Sequence, residues 1–329
     1  MRILVTGANG FLGSWLVNRL VDEGHEVSVL IRQASKSDDF IKKGIKVIFG
    51  DITQPSSLPQ AVQNQQQIYH LAGYVAYSSD ARDTLFRINA EGTDNILKHA
   101  SMANVQRVLI SSSVVAVGAS LKPEILNEES EYNLANYHLS YHESKREAER
   151  ILKKYVNDGQ IDGVIINPST IYGAGDASKS SRSTQLKVAK GSLLFYPPGG
   201  VSVVGVEDVI DGMIKAMQKG RSGERYILSG ENLSLKEVFG MIAECAGVNK
   251  PLIPLPSVIF KGLAYLDESL HFIGGKGPLP AERAIAAMMC HWYDSTKAKR
   301  ELGFSNKPAI NAIANSVQWM KDNNLLVKI

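Results

Sequence analysis

The sequence predicts an α/β protein, a doubly wound parallel sheet with a smaller, mainly helical C-terminal lobe, and three observations predict it. Short β-branched runs alternate with amphipathic segments as far as residue 169. The runs are near-continuously apolar rather than alternating, as strands buried on both faces should be. A glycine-rich turn follows the first of them. Strand, helix, strand repeated in this way calls for a parallel sheet covered on both sides.

Taken in order, "RILVTG" (2–7) reads as a strand, 11–23 as a helix, and "EVSVLIR" (26–32), "KVIFGD" (46–51) and "QIYHLAG" (67–73) as strands. A helix near 90–103, the strand "RVLISSS" (107–113), a helix over 141–155 and the strand "GVIINPS" (163–169) follow. Past residue 170 the texture changes. Residues 173–200, rich in Gly, Ser and Pro, read as loop around one short helix. Then come a helix near 206–219, a strand "ERYILSG" (224–230) and helices near 234–246, 257–272, 280–290 and 309–323. Residues 1–172 are expected to form the sheet domain, with 201–220 returning to it. Residues 173–200 and 221–329 would form the lobe and leave a cleft against the sheet.

A chain of 329 residues can bury one large core or two smaller ones. Lys plus Arg (36) nearly balance Asp plus Glu (33), and the basic residues are scattered without interleaved aromatics, so neither nucleic acid nor a membrane is called for. Cys245 and Cys290 belong to no metal-spaced or redox pair, which argues against a disulfide framework and fits a reducing cytosol. The apolar start is interrupted by Gly7, Asn9, Gly10 and Gly13, and no run reaches the roughly 18 apolar residues of a membrane span. A cytoplasmic protein is expected.

"VTGANGFLG" places Gly7, Gly10 and Gly13 straight after the first strand and at the start of a helix. One Gly takes the positive φ of the tight turn, a second lets backbone approach a pyrophosphate, and a third allows helix to pack closely on strand. The helix N-terminus adds free N–H groups and partial positive charge. With strand before and helix after, the triplet predicts dinucleotide binding. NAD-binding versions usually carry an acid at the end of the second strand. Ile31 and Arg32 stand there instead, Lys36 follows, and no acid appears before Asp38. Arg32 can hold a 2′-phosphate by a charge-assisted bidentate pair, which favours NADP over NAD. Asp51 and Ile52, beyond the third strand, are placed to border the adenine, although a helix cap is equally open to Asp51.

Three stretches fall at the carboxyl ends of strands, where open α/β sheets place their ligands: "HLAG" (70–73), "SSS" (111–113) and "NPSTIYG" (167–173). Between the last two lies "YHESK" (141–145). Residues four apart share a helix face, so Tyr141 and Lys145 can point into one pocket. A phenol with a pKa near 10 is a poor acid-base catalyst, and a nearby cation lowers that value. Lys145 is expected to supply one such charge and an oxidised nicotinamide another. Ser113 would hydrogen-bond the same substrate oxygen. Tyr-x-x-x-Lys recurs by chance, and the glycine turn and serine cluster make it specific here.

With "GDIT", "NAEGT", "LISSSVVAVG", "YHESKREAE", "NPSTIYGAGD", "VVGVEDVIDGMIKAM" and "YDSTKAKRELGF", the sequence resembles the extended short-chain dehydrogenase/reductases of the NAD-dependent epimerase/dehydratase superfamily. Within them it looks like the dihydroflavonol-reductase-like branch. The resemblance implies a Rossmann domain in which Gly7, Asn9, Gly10, Phe11, Leu12 and Gly13 hold the pyrophosphate and Arg32 with Lys36 the adenosine phosphate. It implies that Leu71, Ala72 and Gly73 line the adenine-ribose side, and that Asn89 and Ser111 support the cofactor site. Ser113, Tyr141 and Lys145 are the implied catalytic set, with Lys145 also bonding the nicotinamide ribose. Pro168, Ser169 and Ile171 would border the carboxamide, and a homodimer through helices of the first domain is implied. Ser113 is chosen over Ser112 because it begins the "SVVAVG" that matches the family register. Val114 and Val115 replace the Asp-Glu pair of the sugar dehydratases, which argues against 4,6-dehydration. Gly118 stands where plant flavonoid reductases often carry a substrate-contacting Asn, and Ser140 where many members have Pro.

His138 and His142 are the only close histidine pair and lack an acidic third ligand, so no metal is expected. His70 reads as a packed, hydrogen-bonded side chain. No Gly-x-Ser-x-Gly is present to support hydrolase chemistry. Tyr74, Tyr77, Phe195 and Tyr196 fall in loops expected to face the cleft, where they would stack on substrate or pack as a lid. Arg182 and Lys187 would meet a phosphate or a nucleotide sugar, or stand as solvated loop charges, and the second reading is favoured. The sequence thus favours an NADPH-dependent reductase of a small-molecule ketone or aldehyde. Two alternatives stay open: an NAD-dependent sugar-nucleotide epimerase using the same Tyr and Lys, and a cofactor-sensing protein on the same fold.

Overall fold

The β-branched runs pair into one parallel sheet of seven strands: β1 (Arg2–Thr6), β2 (Glu26–Ile31), β3 (Lys46–Phe49), β4 (Gln67–His70), β5 (Arg107–Ser111), β6 (Gly163–Pro168) and β7 (Arg225–Leu228). The computed structural model describes residues 1–326 apart from 34, 36, 179–181, 273, 274 and 276. Strand order is β3-β2-β1-β4-β5-β6-β7, a Rossmann-type arrangement. The order reverses between β1 and β4, and a ligand crevice opens at such a reversal, beyond the carboxyl ends of the strands.

Successive side chains of each strand point to opposite faces, and both faces are covered. Val5, Val29, Leu109 and Ile166 pack with Leu16, Val17 and Leu20 of the helix Phe11–Asp22 and with Met213 and Met217 of the helix Val206–Lys219. Their neighbours Leu4, Leu30, Ile110 and Ile165 pack on the other side with Ile96 and Leu97 of the helix Gly92–Met102 and Leu152 of the helix Ser140–Asn157. This double burial explains the continuously apolar strands.

One expectation needs correction. The strand near 224–230 is β7, pairing with β6 at the edge of the main sheet, and is not part of the lobe. The lobe is mainly helical, and its helices surround a five-stranded sheet of Glu231–Ser234, Gly200–Gly205, Cys290–Tyr293 and Ile125–Leu126, with Thr170–Tyr172 alongside Gly200–Gly205. Residues 125–126 and 170–172 thus reach it from the first part of the chain. Around it pack the helices Ser183–Ala189, Leu235–Ala246, Ser257–Phe272, Ala281–Ala287 and Ala309–Asp322. Among the described residues no helix is long and apolar enough to cross a membrane.

The glycine turn shows how little slack the sheet domain has. A Cβ on Gly13 would lie 2.2 Å from Gly7 O and 2.8 Å from Ala8 Cα, both backbone atoms. On Gly10 it would lie 3.1 Å from Gly7 O. Overpacking of the first kind costs about 1–3 kcal/mol. Gly13→Ala is therefore expected to lower the urea midpoint by that equivalent and Gly10→Ala by clearly less, as read from paired denaturation curves.

Candidate active site

The crevice starts at the glycine turn. Gly7 has φ +70°, and a Cβ there would lie 2.6 Å from the Ala72 amide nitrogen and 2.8 Å from Leu71 O. Only a residue without a side chain lets the turn after β1 lie against the segment after β4. Gly10 caps the helix Phe11–Asp22 without a side-chain bond, so its first N–H groups point outward with no internal acceptor. Turn and helix end together form a cradle that a phosphate fits and a Cβ would fill.

At the adenosine end Arg32 follows β2, exposed and with no side-chain partner among the described residues. Lys36 lies outside the described residues. Asp51 does act as a local cap, its Oδ1 accepting from Thr53 N (2.9 Å) and Thr53 Oγ1 (2.8 Å). Ile52 is buried against Gly92, where a Cβ would strike its Cδ1 at 2.6 Å.

The helix Ser140–Asn157 is not the solvated charged stretch its composition suggests. Tyr141, Lys145, Ala148, Glu149 and Leu152 are buried, an i, i+4, i+7, i+8, i+11 face turned to the sheet. The charge at its surface is the remainder, with Arg150 Nη2 2.6 Å from Glu147. Lys145 Nζ donates to Ser111 O at 2.9 Å, and a Cβ on Gly73 would lie 3.2 Å from that nitrogen. Gly73 therefore leaves the ammonium uncovered on the crevice side. Burial lowers the Lys145 pKa to about 8, with Glu149 partly opposing it.

Ser113 begins the turn after β5 and stands next to the Tyr141 phenol, the one neighbour that favours its ionised form by hydrogen bonding. Burial, and then Tyr77, push the Tyr141 pKa above its ordinary value. Burial and Tyr77 thus favour the protonated phenol, and Ser113 opposes them. Ser112 is excluded from the pair because its Oγ donates to buried Glu149 at 2.5 Å. Glu149 also accepts from Asn167 Nδ2 at 2.6 Å, and the same nitrogen donates to Ser113 O at 2.8 Å. This carboxylate, one turn beyond Lys145, fixes the serine segment to the helix. Sequence reading missed it, although i, i+4 spacing from Lys145 on a buried face was a usable signal.

A second buried network joins the two halves of the crevice. Ala72 N–H donates to Thr6 Oγ1 (3.1 Å), Thr6 Oγ1 lies 2.7 Å from His70 Nδ1, His70 Nε2 lies 3.1 Å from Thr93 Oγ1, and Thr93 Oγ1 donates to Asn89 O (2.6 Å). Because Thr93 spends its proton on Asn89, His70 carries its own on Nε2, and Thr6 donates to Nδ1. Asn89, in a π-helical turn at Arg87–Glu91, receives Tyr74 N–H on Oδ1 (2.8 Å) and donates through Nδ2 to Tyr74 O (2.9 Å) and Ser144 Oγ (3.0 Å). Ser144 Oγ in turn donates to Tyr141 O at 2.8 Å.

Of the remaining predicted residues, Phe11 is buried on its helix and Leu12 and Ile171 pack on the core beneath the crevice. Asn9 is exposed on the turn. Pro168 ends β6, and the buried Oγ of Ser169 beside it has no partner among the described residues. Tyr77 meets Tyr141 edge-on, ring centroids 5.8 Å apart, and His142 at 6.3 Å. Tyr74 is exposed and held by its backbone. Phe195 and Tyr196 are not loop residues. They pair as a short strand with Ile253–Pro254, and Tyr196 packs in the lobe core. A separate cavity of about 430 Å³ between Trp15 and Trp319 includes none of Ser113, Tyr141 and Lys145.

A Rossmann sheet with this glycine cradle, and a buried Tyr and Lys facing a Ser across it, defines a nicotinamide-dependent oxidoreductase. Residues 3–229 match the NAD dependent epimerase/dehydratase family, and the chain belongs to that family as an extended short-chain dehydrogenase/reductase. The putative dihydroflavonol 4-reductase of Synechocystis sp. is 30% identical over 97% of this chain and 94% of its own. Sterol demethylase protein B of Methylococcus capsulatus is 29% identical over 99% of this chain and 100% of its own. Among solved structures gox2253 superposes with a TM-score of 0.88 at 29% identity, covering 99% of both chains.

The buried imidazoles make the site acid-sensitive. Burial, then Lys145, lowers the His70 pKa to about 3, and burial, then His291, lowers that of His142 to about 3. The unfolded chain, with histidine near 6.5, takes up protons first as pH falls, so stability is complete above about 6.5 and is lost as pH drops toward 3. Each imidazole contributes about 1.4 kcal/mol per pH unit inside that window. Urea midpoints measured from pH 7 to pH 5 are expected to fall, and His142→Phe should flatten the slope by about one proton.

Proposed function

We propose that the protein is an NADPH-dependent reductase of a ketone or aldehyde. The observation that carries this is the buried Tyr141 phenol beside Ser113, with Lys145 on the same helix face, an arrangement that can give a proton to a carbonyl oxygen. Ser113 and Tyr141 would both donate hydrogen bonds to that oxygen, aligning the carbonyl and stabilising charge as it builds. A bound nicotinamide cofactor supplies the hydride. The Gly7–Gly13 turn would hold its pyrophosphate. Lys145 spends one of its three donors on Ser111 O and keeps two for the cofactor's ribose hydroxyls. The unpartnered Ser169 hydroxyl is suited to the carboxamide. Nearly full-length similarity to a putative dihydroflavonol 4-reductase supports carbonyl reduction.

Loss of the proton donor should remove turnover and spare cofactor binding. Tyr141→Phe is expected to lower kcat for carbonyl-dependent NADPH oxidation by at least ~10²–10⁴-fold. Dissociation of NADPH, followed by its fluorescence, should stay within about threefold, the allowance for one neutral hydrogen bond. Tightly retained oxidised cofactor and sugar-nucleotide epimerisation in the wild type would instead point to the epimerase.

Arg32, exposed at the end of β2 and without a side-chain partner among the described residues, supports the choice of NADPH. Hydrogen bonds to charged groups are worth about 1.5–3 kcal/mol. Arg32→Ser should therefore raise KM for NADPH by roughly ten- to a hundredfold and leave NADH almost unaffected. An unchanged NADPH/NADH ratio would refute the assignment.

A further inference from the structure

The cavity of about 430 Å³ between the helices Phe11–Asp22 and Ala309–Asp322 is lined by none of Ser113, Tyr141 and Lys145, so the chemistry assigned to the crevice does not use it. Its volume is that of a small-molecule site. Each side of the cavity contributes one indole: Trp15 packs on the core of the sheet domain, and Trp319 on the core of the lobe. Both are half-buried, one part held by protein and another lining the cavity. Trp15 is also fixed in rotation, because its Nε1 donates to Ala174 O at 3.1 Å.

Asn311, Asn315 and Trp319 recur at four-residue intervals along the helix Ala309–Asp322, and so lie on one face of it, the face that lines the cavity. Both asparagines are exposed, and neither carboxamide has a hydrogen-bond partner among the described residues. Each offers donors and an acceptor together.

The charged groups of the cavity are already engaged. Lys307 Nζ is 2.6 Å from Glu207 Oε2, and the Lys307 backbone N–H donates to Asp208 Oδ2 at 2.9 Å. Asp322 accepts from Gln318 Nε2 at 2.8 Å. Three carboxylates against one ammonium repel an anion, and an organic cation would compete with the donors that each carboxylate already holds. What is left unspent is aromatic surface and amide, both neutral.

We propose that this cavity is a second ligand site, separate from the crevice, and that it takes an uncharged sugar. The C–H face of a pyranose ring packs on an indole, and its hydroxyls, donors and acceptors at once, match carboxamides that both give and receive. An apolar ligand of the same size would strip water from Asn311 and Asn315 and return no hydrogen bond. The site stands whether or not Tyr141 reduces a carbonyl.

The test titrates the full-length protein, free and loaded with NADPH, with maltose and with the methyl glycosides of glucose, galactose, mannose and N-acetylglucosamine, by calorimetry and by tryptophan fluorescence. At least one of these sugars should bind with NADPH in place, and more tightly than cyclohexanol, choline or glucose 6-phosphate. Trp319→Ala should weaken that binding at least about tenfold, and Asn315→Ala about two- to tenfold, the loss of one neutral hydrogen bond. Because Trp319 packs on the lobe core, its variant is checked by its urea midpoint. The exposed double variant Asn311→Ala/Asn315→Ala carries the test should the tryptophan variant lose its fold. Tyr141→Phe should bind the sugar as the wild type does, within about threefold. Sugar binding that survives both Trp319→Ala and the double variant, or that NADPH or Tyr141→Phe abolishes, would place the ligand elsewhere and overturn the proposal. Tighter binding of cyclohexanol, choline or glucose 6-phosphate would refute the choice of an uncharged sugar, as would failure of all five sugars to bind.

Discussion

One buried amide, that of Asn89, holds the site together. It is 1% exposed and joins the backbone of Tyr74 to Ser144, and through Ser144 to the carbonyl of Tyr141. Through its own carbonyl it also receives the chain that runs from Ala72 by Thr6, His70 and Thr93. The end of β1, the end of β4 and the helix carrying Tyr141 and Lys145 are thus one hydrogen-bonded unit. Each group in such a network left unpaired would cost about 1–3 kcal/mol, so the crevice floor moves as a body or not at all.

The second fixed point is Glu149, which does for β5 and β6 what Asn89 does for β4. Its carboxylate receives Ser112 and Asn167, and Arg225 Nη1 stands 3.5 Å away on β7. One helix is therefore tied to three strands beyond β4, and Ser113 and Tyr141 cannot drift apart independently. A buried acid is tolerated because several donors surround it. The helix looks charged in sequence because it carries polar groups on its inner face as well as its outer one.

That inner polarity marks where the sequence was legible and where it was not. β1 to β6 could be read because strands buried on both faces leave continuous apolar runs, and the glycine turn because its spacing has a mechanical reason. The lobe sheet could not, since pieces such as Ile125–Leu126 or Thr170–Tyr172 are too short to show a period. β7 was recognised as a strand and given to the wrong layer, because partner choice depends on contacts distant in sequence. Tyr141 and Lys145 were found through their company. The solvated reading was favoured for Arg182, because nothing local announces that its guanidinium lies on the Tyr172 ring.

Electrostatics give the site a direction. Reduction of a carbonyl needs a proton on Tyr141, and oxidation of an alcohol needs the phenolate. Burial and the Tyr77 ring favour the protonated form, and the Ser113 hydroxyl is the group that opposes them. Lys145, whose ammonium is bonded to Ser111 O, is itself weakened by burial. The unaided chain is therefore set for proton donation. Running the opposite way requires added positive charge, which an oxidised nicotinamide carries and a reduced one does not. The direction of proton transfer at Tyr141 is then governed by the redox state of what the glycine cradle holds.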